Sequence, residues 1–149
     1  MGLRFKILYL GATVGSKNDL VKENDPEVMI KSPHWALLVE HPVLGKVLVD
    51  TGDSDDWKEC YSDHIQNTYP MTEFIPLGER LKENGISYED IDVLIITHFH
   101  FDHVGGLKYF SNTKAGKNIY VSEPEVSELF ETTQNHPEKL GGAYTSTIL

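Results

Sequence analysis

Apolar positions alternate through Arg4–Leu10, placing Phe5, Ile7 and Tyr9 on one face and predicting a first strand. Gly11 to Ser32 is polar, rich in Gly, Lys, Asn, Asp and Glu, and longer than an ordinary connection, which predicts a functional or mobile loop. Two more strands are predicted. His34–Glu40 carries Trp35, Leu37 and Val39, and Lys46–Asp50 carries Val47, Leu48 and Val49. Pro42-Val43-Leu44-Gly45 joins them as a hairpin, and Asp50-Thr51-Gly52 ends the second with turn-forming residues. Asp53 to Met71 is polar, spotted with aromatics, and shows no clear period.

A helix is predicted from Pro76 through Leu77 and Leu81 to Asn84, with Gly85 as its terminator. Ser87 and Asp90 have capping-box spacing. Within Asp92–Thr97, the run Val93-Leu94-Ile95-Ile96 is continuous and apolar, the pattern of a strand buried on both faces. A short helix is predicted over His103–Phe110 and a small strand over Asn118–Val121. Ser122-x-x-Glu125 with Pro124 opens a last helix, whose Val126, Leu129 and Phe130 recur at helical spacing and read as core. Strands alternating with helices predict one α/β layered domain over residues 1–149. Leu140–Leu149 ends on Ile148-Leu149 like the entry to another element, so truncation is expected.

The 149 residues include 13 basic and 23 acidic side chains, a net charge of −10. Without clustered Lys and Arg this argues against nucleic acid and against an anionic membrane surface. There is no apolar run of about 18 residues and no signal-peptide core, so a cytoplasmic protein is expected. One cysteine, Cys60, excludes an internal disulfide and a multi-cysteine zinc site.

The chemistry concentrates in His98-Phe99-His100-Phe101-Asp102-His103, directly after the apolar strand. In extended chain, residues i and i+2 point to the same side, so His98 and His100 can grip one ion with Phe99 facing away. A bend after His100 would bring Asp102 and His103 into the same cavity around a second ion. Imidazole with carboxylate suits zinc, and also holds iron, manganese, cobalt or nickel. A solvated loop that happens to be rich in histidine is the rival, and this density of ligands disfavours it.

Thr97-His98-Phe99-His100-Phe101-Asp102-His103-Val104-Gly105-Gly106 resembles the His-x-His-x-Asp-His signature of the metallo-β-lactamase superfamily. Leu48-Val49-Asp50-Thr51-Gly52 is similar to the family's earlier strand-end motif, and Pro33-His34-Trp35 with the long Gly11–Ser32 insertion looks most like the N-acyl-homoserine lactonases. The resemblance implies the N-terminal half of an αβ/βα sandwich. It implies two zinc ions in a complete site, with His98 and His100 on the first and Asp102 and His103 on the second. Asp50 and Thr97 would support the metal loop, and Asp102 would also hold the nucleophile as a catalytic residue. The implied reaction is opening of an ester or lactone by a hydroxide held between the metals.

No phrase after His103 matches the family's later ligands; the sole later histidine, His136, stands in a different context. Each metal would keep two protein ligands, so impaired turnover is expected. A thioester hydrolase of the hydroxyacylglutathione hydrolase type is the alternative enzyme, and a non-catalytic metal-binding or interaction fragment is the alternative outside catalysis. A half-fold leaves one sheet face and one edge open, which a homodimer or an exchanged element would cover.

Other polar residues read more plainly. His34 and Trp35 are expected to pack in the core, His41 and His64 to face solvent, and Asp53, Asp55 and Asp56 to form a solvated loop. Cys60 is expected to be an inert thiol.

Overall fold

The computed structural model describes residues 2–21 and 28–136. Strand β1 spans Arg4–Ser16, β2 Met29–His41, β3 Gly45–Val49, β4 Met71–Phe74, β5 Val93–Ile96 and β6 Ile119–Val121. Helix α1 spans Lys17–Val21, α2 Trp57–Cys60, α3 Asp63–Thr68, α4 Leu77–Glu83, α5 Phe101–Val104 and α6 Glu123–Asn135. Among the described residues the strands form one sheet in the order β4-β1-β2-β3-β5-β6. The chain is antiparallel through β1, β2 and β3, then becomes parallel where β3 meets β5 and β5 meets β6.

One sheet face makes the core. Leu8, Leu10, Ala36, Leu38, Leu48 and Leu94 pack with Leu77 and Leu81 of α4, with Ile91 and with Phe110. Leu48, Leu81, Ile91, Leu94 and Phe110 are wholly buried, each contributing about 1.5–3 kcal/mol relative to exposure. The helix over residues 76–84 forms nearly as expected, with Pro76 as its N-cap and Asn84 as its C-cap. The capping box also forms: the Asp90 carboxylate accepts from the Ser87 N–H at 2.8 Å and from its hydroxyl at 3.1 Å.

The other sheet face is apolar and open among the described residues. Strand register aligns Ile7, Leu37, Val49, Ile95 and Tyr120 in one row across five strands. Ile7, Ile95 and Tyr120 are exposed, as are Phe5 and Trp35. This corrects two expectations. Val93–Ile96 is not buried on both faces, because Leu94 and Ile96 face the core while Ile95 faces outward. Trp35 stands on the open face, tilted against Tyr9 at 5.0 Å, and not in the core.

Three further expectations change. The polar stretch after Leu10 is not simply a loop. Backbone pairing of Val14 with Lys31 and Ser16 with Met29 carries β1 and β2 through it, whatever the side-chain polarity; residues 22–27 of that stretch lie outside the described residues. A bulge at Gly11 lets this long strand continue: its φ is +136°, and a Cβ there would lie 2.2 Å from the Glu73 carbonyl oxygen. The helix expected over His103–Phe110 is two pieces, α5 and a 3-10 turn over Leu107–Phe110, because Gly105 and Gly106 pack against another loop. In α6, Phe130 is exposed and Thr132 is the buried residue, so the apolar stripe is not core here. The Leu140–Leu149 ending lies outside the described residues.

Candidate metal centre

Strands β3 and β5 are parallel neighbours, so the loops leaving them emerge on the same rim of the sheet, the place where α/β sheets build their sites. The loop after β3 begins at Asp50 and the loop after β5 at Thr97. Asp50 adopts φ +59°, a left-handed conformation that Asp tolerates better than most residues, and its N–H donates to the Ile95 carbonyl at 2.9 Å. The twist aims the carboxylate across at the second loop. One oxygen accepts from the Thr97 N–H at 2.8 Å; the other accepts from the Thr97 hydroxyl and from His103 Nδ1, each at 2.8 Å.

These bonds fix the imidazoles. With His103 Nδ1–H donating to Asp50, Nε2 is the nitrogen left for a metal. The Thr97 hydroxyl, having given its proton to Asp50, lies 3.0 Å from His98 Nδ1 and accepts there, which leaves His98 Nε2 free in the same way. One carboxylate thus orients two rings that differ by five positions in sequence.

The two loops interlock. The Thr51 N–H and hydroxyl both donate to the His103 carbonyl, at 2.8 and 3.0 Å, and the Gly105 N–H donates to the Gly52 carbonyl at 2.8 Å. Gly105 sits so close to the neighbouring loop that a Cβ would lie 2.1 Å from the Ser54 nitrogen.

The structure brings the three histidine rings of the motif close together, with His98 nearer to His103 than to His100. The rings of His98 and His100 are 4.4 Å apart between centroids, and His98 and His103 are 3.9 Å apart. Asp102 Oδ2 lies 3.5 Å from His103 Nε2. Burial, with the neighbouring histidines, holds His98 below its ordinary pKa, and burial does the same for His100, favouring the neutral form that binds metal. Burial also lowers His103, but the Asp50 bond and the Asp102 charge outweigh it and raise that ring. Burial raises Asp50, yet the bonds from His103 and Thr97 together hold it below the usual carboxylate range. The donor chemistry therefore fits divalent metals of the zinc type. The number of donors is smaller: among the described residues no three His, Cys, Asp or Glu side chains converge on one ion.

A cleft of about 550 Å³ runs from this centre onto the open sheet face, between His34, Trp35, Leu37, Asp102 and His103. His34 corrects an expectation in part. It is buried, but within a polar network with Asp53, not within apolar core. Asp53 corrects another, being 3% exposed where a solvated loop was expected. Tyr61, which sequence reasoning passed over, is bonded to Asp53 and is buried against Phe101. The one available signal was a histidine on the inward-facing register of an otherwise apolar strand.

Residues 30–142 match the profile of the metallo-beta-lactamase superfamily. An N-acyl homoserine lactonase of Bacillus cereus is 33% identical over 99 residues, which is 59% of this chain and 37% of that protein. A solved quorum-quenching N-acyl homoserine lactone lactonase superposes with a TM-score of 0.68 at 27% identity, over 87% of this chain and 50% of that one. AidC, a dizinc quorum-quenching lactonase in complex with a product, shares the fold with a TM-score of 0.60 at 21% identity, over 95% of this chain and 52% of that one. The chain thus spans about half the length of these solved structures and little more than a third of the Bacillus protein. No helix among the described residues is long and apolar enough to cross a membrane.

Proposed function

The chain belongs to the metallo-β-lactamase superfamily, and from that membership we propose that it carries the metal-binding half of a hydrolase that opens lactones of the acyl-homoserine type. The observation that supports this best is the Asp50–Thr97 relay, which leaves Nε2 of both His98 and His103 for a metal. His98 and His100 would hold the first ion, and Asp102 and His103 the second. Zinc is the leading candidate, and the same ligands accept iron, manganese, cobalt or nickel. A bound pair supplies Lewis acidity to the ester carbonyl and lowers the pKa of water.

The chain's own residues then do four things. Asp50 keeps His103 in the binding tautomer. Thr97 does the same for His98. Asp102 accepts a hydrogen bond from the attacking water. The Thr51 and Gly105 contacts fix the two loops, so the ligand pairs keep their spacing. The described residues give each ion two ligands, against about three plus water in a catalytic zinc site. The isolated chain is therefore expected to bind metal weakly and turn over slowly. We further propose that two copies cover each other's open sheet face.

Elemental analysis of protein purified without added metal, paired with lactone and thioester hydrolysis at high protein concentration, tests this reading. Metal-dependent lactone opening that is lost in His100→Ala supports it. A faster thioester rate transfers the activity to the rival hydrolase class. Equal background rates in wild type and His100→Ala leave a non-catalytic metal-binding fragment.

A further inference from the structure

Behind the histidine loop lies a second polar network, which meets the signature motif at Asp102 and at the Phe101 carbonyl. His34 and Asp53 have side chains 2% and 0% exposed, and His34 Nδ1 donates to Asp53 Oδ2 at 2.5 Å. The Tyr61 hydroxyl lies 3.0 Å from Asp53 Oδ1 and 3.1 Å from the Phe101 carbonyl, and accepts from the Ser54 N–H at 3.2 Å. The other edge of the His34 ring faces two groups: Nε2 is 3.1 Å from Thr13 Oγ1 and 3.8 Å from Asp102 Oδ2. Four parts of the fold meet here: β1 with Thr13, β2 with His34, the loop after β3 with Asp53, and α5 with Asp102.

A buried imidazole–carboxylate pair is a costly way to fill space. Well-packed apolar residues of similar volume often serve as well or better for stability, so such a pair suggests a task beyond filling. His34 is poorly placed to be a metal ligand, because Thr13 engages Nε2, the nitrogen that the Asp53 bond at Nδ1 would otherwise leave for one. Its free influence is on Asp102. Asp102 Oδ2 lies 3.8 Å from His34 Nε2 and 3.5 Å from His103 Nε2, both too long for hydrogen bonds, so the contacts are electrostatic, with the His34 side chain buried and that of Asp102 22% exposed.

We infer that His34 is a positioning residue: locked by Asp53, Tyr61 and Thr13, its Nε2 edge holds the Asp102 carboxylate turned toward His103, ready for the second metal. This rests on the assignment of Asp102 and His103 as that metal's ligands, and it extends the centre by residues from three other parts of the fold.

Two measurements test it, one of them independent of metal. The first is a double-mutant cycle in metal-free protein with His34→Gln, Asp102→Asn and the pair, read by urea denaturation. Coupled side chains make the folding constants fail to multiply by about three-fold or more. The second is a cobalt(II) titration followed by visible absorption. His34→Gln is expected to weaken the ion at Asp102 and His103 by about ten-fold and to leave the ion at His98 and His100 within two-fold. A purely structural role would weaken both sites together.

Tyr61→Phe keeps the ring packing and removes only the hydroxyl that props Asp53. It is expected to give the same selective loss in smaller measure, and it serves if His34→Gln does not fold. Additive stabilities overturn the inference, and so does equal cobalt affinity in wild type and either variant. If wild-type protein takes up no cobalt, the assignment of metal ligands fails, and the metal-free cycle alone decides whether His34 holds Asp102.

Discussion

Replacing Asp50 with asparagine changes one atom in the centre and tests the logic of the whole relay. The carboxylate accepts three bonds, from the Thr97 N–H, the Thr97 hydroxyl and His103 Nδ1. In Asp50→Asn the amide oxygen can keep the Thr97 N–H, which sets the new NH2 against two former donors. The hydroxyl can rotate and accept. The imidazole can accept only by moving its proton from Nδ1 to Nε2, the nitrogen a metal needs. Three charge-assisted bonds become neutral ones at about 1 kcal/mol less each, and a neutral amide is easier to bury, so the net loss is about 2–3 kcal/mol. A fold of ordinary stability survives that loss. Metal binding at Asp102 and His103 suffers more, by ten- to a hundred-fold. Urea denaturation measures the first effect and cobalt titration the second. Nitrogen-15 spectra of the His103 ring in alkaline buffer show the tautomer directly. Wild-type metal affinity in Asp50→Asn, or an unchanged His103 tautomer, would refute the reasoning.

Three more outcomes are expected. Gly105→Ala drives a methyl group into backbone 2.1 Å away, where no side chain can yield, and should cost about 1–3 kcal/mol or more in urea denaturation; a loss under 0.5 kcal/mol would show that the two loops do not interlock as described. The Asp50–His103 contribution should form a dome against pH. Asp50 lies below its ordinary 3.8 when folded, so its share is present above that value and fades as pH falls through the folded pKa. His103 lies above its ordinary 6.5, so its share is full below that value and fades as pH rises through the folded pKa. The stability difference between wild type and Asp50→Asn should therefore peak between these two values, and a flat difference from pH 3 to 9 would contradict it. The open face with Ile7 and Trp35 should make the protein associate, and Ile7→Lys with Trp35→Lys should release monomers; a clean wild-type monomer in light scattering would count against it.

The sequence made some of this legible and hid the rest for physical reasons. His98, His100 and His103 stood out because their spacing falls at a strand end, where extended geometry aligns i and i+2 before any tertiary contact is known. Asp50 was legible through the resemblance of its strand-end motif, although 53 residues separate it from its partner His103. His34, Asp53 and Tyr61 were not legible as a unit. Each is an ordinary residue in its own segment, and no local pattern records which loop folds back upon which. The length of β1 was hidden because backbone bonds hold Thr13 through Ser16 in the sheet while polar side chains and glycine mimic a loop. The apolar run Val93–Ile96 described its own hydrophobicity well, but a run cannot say whether a layer lies over Ile95.

The separation between Asp50 and its partners also orders events in time. Closing the 47-residue span to Thr97 costs about 3 kcal/mol of chain entropy, so β5 must dock beside β3 before the relay holds. At roughly 5–20 residues per second, a ribosome delivers His103 about 3–10 s after Asp50. The anchor is therefore made before the ligands it will orient, and the hairpin of β2 and β3 can pair while β5 is still being synthesised. On the ligand assignment proposed above, metal loading would be a late step in biosynthesis. A nascent chain stopped short of β5 exposes its hairpin without the His98–His103 cluster.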